Sequence, residues 1–136
     1  MSVKPAGGSQ EQDLDKMVLD YAVKIGTTAR RENVEKSQME QLISSLEAYP
    51  HHILCLPVAA AYARRQNTRG HLGRDTSRLV AEAMRELYRL NQDRNRGRVL
   101  LGLAKWVYEA SDGLRISQTV NSFEEFLQLL AGSGGR

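Results

Sequence analysis

An apolar rhythm of 3.6 residues returns, segment after segment, from about residue 10 to about residue 131. A chain patterned this way buries one stripe per helix and must pack helix on helix. Leu14, Met17, Val18, Tyr21 and Ile25 carry the rhythm first, over residues 10–26, with Ser9 placed to cap and Gly26 to stop. Met39, Leu42, Ile43, Leu46 and Tyr49 carry it next, behind the capping-box sequence Ser37-Gln38-Met39-Glu40 and ahead of Pro50. A third helix begins near Ile53 or Pro57 and ends at Gln66, and its Ala59, Ala60, Ala61 and Ala63 admit a close neighbour. A fourth follows the capping residues Asp75-Thr76 and ends near Asn91. A fifth runs from about Arg96 to Ala110 with Gly113 beyond it. A sixth starts at a second capping box, Ser122-Phe123-Glu124-Glu125, and stops before Gly132. Only residues 115–121 suit a short extended piece. The expected fold is all-α, a compact bundle of five or six helices. The domain spans residues 10–131, between tails at 1–9 and 132–136.

The fifth helix is the expected centre of the bundle. With Leu100 at zero and about 100° per residue, its apolar positions run from Trp106 at about −120° to Leu101 at about +100°. Only Arg98, Gly102, Lys105 and Glu109 line the remaining stripe. A helix apolar over most of its circumference is buried on several sides, which places Trp106 in the core.

Several kinds of chemistry are unsupported. The chain has 136 residues, enough for one domain with a real core and no staples. Its one cysteine, Cys55, excludes an internal disulfide and a cysteine-rich zinc site. No apolar run of about 18 residues is present, and the first residues lack a secretory apolar stretch, so a cytoplasmic protein without a membrane partner is expected. The phosphate loop G-x-x-x-x-G-K-S/T, the dinucleotide fingerprint G-x-G-x-x-G and the nucleophile elbow G-x-S-x-G are all missing. His51 and His52, adjacent on a helix, point about 100° apart, which suits surface or capping roles better than one metal ion. His71 has no ligand partner at metal spacing, and Cys55 reads as a small buried hydrophobe. Glu124 and Glu125 sit where a helix dipole favours them. The chain is therefore expected to be no enzyme, with no cofactor, no metal and no small-molecule substrate.

Positive charge is concentrated. Residues 69–98 carry eight basic residues, all arginine, against four acidic ones. Guanidinium groups bind phosphates and carboxylates bidentately. With Arg78 at zero, Arg74, Arg85 and Arg89 fall within about 40° of it, opposite Val80, Ala83 and Leu87. Glu82 sits among them and can pair with Arg78 or Arg85. Arg94, Arg96 and Arg98 open the fifth helix, where positive charge opposes the macrodipole by about 0.3–1 kcal/mol each. Three arginines there point to a bound anion, with free backbone amides to hold it and Gly97 to let it approach. If the helices run up and down, Arg30 and Arg31 in the first loop meet Arg64, Arg65, Arg69, His71 and Arg74 at one end. The Arg94–Arg98 stretch then lies at the other end, and Arg74, Arg78, Arg85 and Arg89 run between. Such a track suits a nucleic-acid backbone. Tyr62 and Tyr88 are the only nearby aromatics, so phosphates are tracked and bases are not read.

Three stretches carry a family resemblance: Glu35-Lys36-Ser37-Gln38-Met39-Glu40-Gln41-Leu42, then Ala59-Ala60-Ala61-Tyr62-Ala63-Arg64-Arg65, then the apolar run from Leu100 to Ala110. Over residues 34–110 the chain resembles the small all-helical subunit of type III CRISPR effector complexes, of the Csm type more than the Cmr type. Lys36 stands where that family has Thr, and Leu42 or Ile43 where it has Phe or Tyr. The resemblance implies a non-catalytic subunit that stacks head to tail with other copies of itself. It implies guide RNA and target RNA, the repeated backbone subunit and the large subunit as partners. It also implies contact with the target strand's backbone, carried first onto Arg64 and Arg65, while base pairing reads the sequence. Three other readings compete. A loose helix-turn-helix around residues 70–73 would bind DNA, though its connection is long for that motif. An adaptor would present the arginine face to an acidic protein. An enzyme completed by partner groups would draw on His51, His52 or Cys55.

Overall fold

The computed structural model describes residues 6–133. Six helices follow one another: α1 (Ala6–Arg31), α2 (Lys36–Ser44), α3 (Cys55–Thr68), α4 (Arg74–Arg89), α5 (Arg94–Ala110) and α6 (Phe123–Ser133), with a single 3-10 turn, Ser45–Glu47, after α2. No strand occurs among the described residues, and residues 115–121 are irregular. The fold is an all-α bundle. No described helix is long and apolar enough to cross a membrane.

Alternation of direction follows from the pairings at the helix ends. Glu32, just past α1, reaches the first amides of α4. Gln38 of α2 meets Gln66 of α3, and Lys36 and Glu40 of α2 meet Glu109 and Lys105 of α5. Arg96 of α5 meets Asp15 of α1, while Arg30 of α1 meets Tyr108 of α5. So α1, α3 and α5 run one way and α2 and α4 the other, with α1 and α5 parallel neighbours. The ends of α1 and α3 and the start of α4 share one pole. The starts of α3 and α5 share the opposite pole, where the Arg94 amide donates to the His52 carbonyl at 2.7 Å.

One continuous core joins α1 to α5. Ile25, Met39, Leu42, Leu46, Leu56, Val80, Met84, Leu87 and Leu100 are among its fully buried members. A smaller cluster, Val23, Val107, Val120 and Phe126, holds α6 and the segment before it against α1 and α5.

Gly26 does not stop α1. It is buried, and a Cβ there would lie 2.6 Å from the Ala104 carbonyl oxygen and 2.7 Å from the Val107 Cβ, so it sets how closely α1 and α5 approach. The helix stops later, at Asn33, whose φ of 58° is left-handed. The Val34 amide then bonds the Ala29 carbonyl at 2.9 Å, which closes the last turn. Asn91 ends α4 the same way, with φ 61° and Gln92 bonding Leu87. The helix thus runs on past the glycine, and Arg30 and Arg31 lie in the last turn of α1, not in a loop. At the other end α1 begins at Ala6, inside the stretch read as a tail, while residues 1–5 and 134–136 lie outside the described residues.

The capping signals divide. Ser122 behaves as expected: its Oγ accepts from the Glu125 amide at 3.1 Å, and Glu125 accepts from the Asn121 amide at 2.9 Å. Ser37 does not cap, because α2 starts one residue earlier behind Glu35, with no side-chain cap. Asp75 and Thr76 lie inside α4, and their amides are capped from a distance by the Glu32 carboxylate at 3.1 and 2.9 Å. Gly73 precedes α4, and a Cβ there would collide with that carboxylate.

The fifth helix is central on one side only. Leu100, Leu101 and Ala104 are buried, but Trp106 is 70% exposed and Val99 48% exposed, so Trp106 is not a core residue. The parallel pairing of α5 with α1 covers one flank, and nothing described covers the flank bearing Val99 and Trp106. Tyr49 is also exposed, because α2 gives way to the 3-10 turn before reaching it.

Candidate nucleic-acid interface

The arginines divide by what they touch. Arg94 is engaged internally. Its Nε donates to the Leu46 carbonyl at 2.9 Å, and a terminal nitrogen donates to the Tyr49 and Pro50 carbonyls at 2.7 and 2.9 Å. The cause is legible in the chain. Pro50 has no N–H, so the Leu46 carbonyl, four residues back, has no helical donor. Arg94 supplies one. Arg96 pairs with Asp15 at 3.2 Å, and Arg98 pairs with Glu47 and bonds Asn95 Oδ1 at 2.8 Å. The start of α5 is capped by Asp93, whose Oδ1 accepts from the Asn95 and Arg96 amides at 3.1 and 3.4 Å. Gly97 is buried, and a Cβ there would press Leu56 and Leu46 at 3.0 and 3.2 Å. The expected anion at this helix start is therefore supplied from within the chain, by Asp93, Glu47, Asp15 and backbone carbonyls. Gly97 serves helix packing and leaves no approach for an outside phosphate.

Arg30 is likewise internal. It donates to the Tyr108 carbonyl at 2.9 and 3.2 Å, lies over the Tyr108 ring at 4.1 Å and sits 4.0 Å from Asp112. It ties the end of α1 to the end of α5, whose last carbonyls lack helical donors.

The α3 and α4 arginines face outward. Arg64, Arg65 and Arg69 are exposed at the end of α3. The first two make only polar bonds with neighbours, Arg64 with Asn67 at 2.9 Å and Arg65 with Gln66 at 3.0 Å. On α4, Arg74, Arg78, Arg85 and Arg89 are all exposed, opposite the buried Val80, Ala83 and Leu87. Arg78 bonds Glu82 at 2.9 Å and approaches Asp75 at 3.9 Å, and Arg74 meets Asp75 at 3.4 Å. Arg89 bonds Glu86 at 2.8 Å, and this hydrogen bond holds the Glu86 carboxyl below its usual range. Among the described residues Arg64, Arg65, Arg69 and Arg85 make no ion pair.

The two poles are assigned as expected: the Arg30–Arg31 end of α1 lies with the α3–α4 connection, and Arg94, Arg96 and Arg98 lie opposite. Three residues without a signal in the sequence also border this surface. Lys24 of α1 and Thr119 and Asn121 of the segment before α6 join Arg31 and Arg78 around one recess. Lys24 is hidden because an isolated lysine on an amphipathic helix carries no signal. The other two are hidden because residues 115–121 have no periodicity to place them.

The histidines and Cys55 are held locally. His51 Nδ1 accepts from the Ile53 and Leu54 amides, both at 3.1 Å, and its ring stacks on His52 with centroids 5.0 Å apart. Cys55 is fully buried, its Sγ 3.5 Å from the His52 carbonyl, and burial pushes its thiol up. Among the described residues no group of three or more His, Cys, Asp or Glu is placed to hold a metal ion. No protein-family model, no curated protein and no solved structure matches the chain.

Proposed function

We propose that this chain is a non-catalytic small subunit of a type III CRISPR RNA-guided effector complex, contacting an RNA backbone through the arginines of α3 and α4. One observation carries the reading: Arg64, Arg65, Arg69 and Arg85 are exposed and without ion pairs among the described residues, the first three at the end of α3 and the last on the α4 face that also bears Arg74 and Arg78. Unpaired guanidinium groups release counterions on meeting phosphates, and that release drives sequence-independent binding. Few aromatics lie nearby, which suits backbone tracking. The exposed Trp106 and Val99 on α5 suit burial against another subunit, since aromatic anchors dominate protein interfaces. The partners in this reading are guide RNA and target RNA, the repeated backbone subunit, the large subunit and further copies of the chain. Its setting is the cytoplasm.

Gentle purification of a tagged chain from its native host, with mass spectrometry and RNA sequencing, tests the proposal. Large effector subunits together with short RNAs sharing a repeat-derived end are the expected result. Co-purification with genomic DNA, or with acidic proteins and no RNA, overturns it.

A further inference from the structure

Two basic side chains of α1 differ from the other half-buried cations of the bundle in one respect. Among the described lysines and arginines that are partly withdrawn from water, Arg30, Arg94, Arg96 and Lys105 each meet a carboxylate. Lys24 and Arg31 do not. Both are half-buried on the same helix, and neither makes an ion pair among the described residues. Lys24 lies only over the Tyr21 ring, at 4.9 Å. Partial burial of a cation without a counter-ion costs stability, and an anion arriving from outside offsets that cost.

These two side chains open onto the same recess, about 230 Å³ in volume, between α1, α4 and the segment before α6. Arg78 borders it from α4, and Thr119 and Asn121 border it from the segment. Asp75 and Glu82 also line it, but both are already paired with Arg78. Three cations therefore face two carboxylates that are engaged with one of them. The volume admits a phosphate group, and the cations on its rim favour one. Thr119 and Asn121 add neutral donors of the kind that position a phosphate without reading sequence.

We infer that this recess is a backbone-phosphate subsite in which Lys24, Arg31 and Arg78 hold one phosphodiester of a bound RNA strand. The inference rests on the RNA reading above and adds a place to it: the strand crosses the groove between α1 and α4, away from the start of α5.

The test uses the full chain and a labelled single-stranded RNA, with binding followed across a range of salt concentrations. The Lys24→Ala/Arg31→Ala double variant is expected to show a salt slope shallower by about 0.7 for each phosphate it no longer neutralises. Lys16→Ala, which removes an exposed charge from the same helix outside the recess, is expected to leave the slope unchanged. The double variant removes half-buried cations that have no carboxylate partner, so its thermal midpoint should be no lower than that of the unaltered chain. Asn121→Asp, which brings negative charge to the rim, is expected to weaken binding as well. A titration with inorganic phosphate, followed by amide NMR, separates a free anion from a strand. Shifts around Arg31 and Asn121 that vanish in the double variant, together with the slope change, support the subsite.

Phosphate shifts with an unchanged RNA slope overturn it in favour of a free-anion site. An equal flattening of the slope in Lys16→Ala overturns it in favour of a diffuse field. RNA binding by the unaltered chain with an unchanged slope in the double variant overturns the subsite and leaves the RNA reading standing. Failure of the unaltered chain to bind RNA, alone or in its assembly, overturns the RNA reading itself and the subsite with it.

Discussion

Two arginine groups of similar composition lie on this bundle, and their surroundings make them different objects. Arg94, Arg96 and Arg98, at the start of α5, are tied to carbonyls and carboxylates from α1 and from the turn after α2. Arg64, Arg65, Arg69 and Arg85, on α3 and α4, face solvent without ion pairs among the described residues. The first group uses its charge to hold the fold. The second leaves its charge open to solvent. Density of arginine along a sequence therefore does not locate a binding face; the internal acceptors around each guanidinium do. The start of α5 reads as anion-hungry because three cations oppose its dipole, yet Asp93 already caps its amides.

The comparison breaks most easily at Arg94. Arg94→Ala leaves the buried Leu46 carbonyl without a donor, because Pro50 cannot supply one. We expect a loss of about 1.5–3 kcal/mol in urea unfolding, the range for hydrogen bonds to a charged group. RNA affinity per folded molecule should stay unchanged. A stable variant with weakened RNA binding would place Arg94 in the second group. Next in size is Glu32→Ala, which removes the carboxylate from the first amides of α4 and should cost about 1–2 kcal/mol, as for removal of a strong cap. Gly73→Ala should approach the same cost by displacing that carboxylate, and differential scanning calorimetry of the pair checks whether the effects overlap.

Smaller effects sharpen the contrast. Arg98→Ala breaks an exposed pair with Glu47 and should cost under about 1 kcal/mol. Arg64→Ala/Arg65→Ala should leave stability within about 0.5 kcal/mol. In the assembled complex the same double variant should flatten the salt dependence of RNA binding, and an unaltered slope there would remove these two residues from the interface. The smallest effect is a pH dependence. Arg89 hydrogen-bonds Glu86 and lowers its folded-state pKa. A depressed carboxyl binds its proton less readily when folded, so its contribution is present at neutral pH and is lost as pH falls through the folded value. Comparing acid unfolding of the unaltered chain with Glu86→Gln isolates it, and identical curves would show the pair contributes nothing.

Much of the architecture is legible in the chain. The apolar stripes, the second capping box, the outward arginine face of α4 and the two poles all follow from periods of 3.6 residues and short connections. Such patterns are local, so a linear reading finds them. The misreadings share one cause. Gly26 reads as a stop but is a crossing point, because the atoms that need the space belong to Ala104 and Val107. Trp106 reads as core because its helix is apolar nearly all round, yet no described element covers that flank. Asp75 and Thr76 read as caps, but the cap is Glu32, from the end of a different helix. The recess bordered by Lys24, Arg31 and Arg78 has no linear signal, because α1, α4 and the segment before α6 meet only in the folded chain.

The sequence by itself determined helix on helix: periodicity and capping act over a few residues and need no partner to be read. Only the tertiary structure decided which arginines are free. A guanidinium reaches acceptors several ångströms away on elements far along the chain, and the pairing of Arg94 with Leu46 or of Arg96 with Asp15 exists only once those elements are packed.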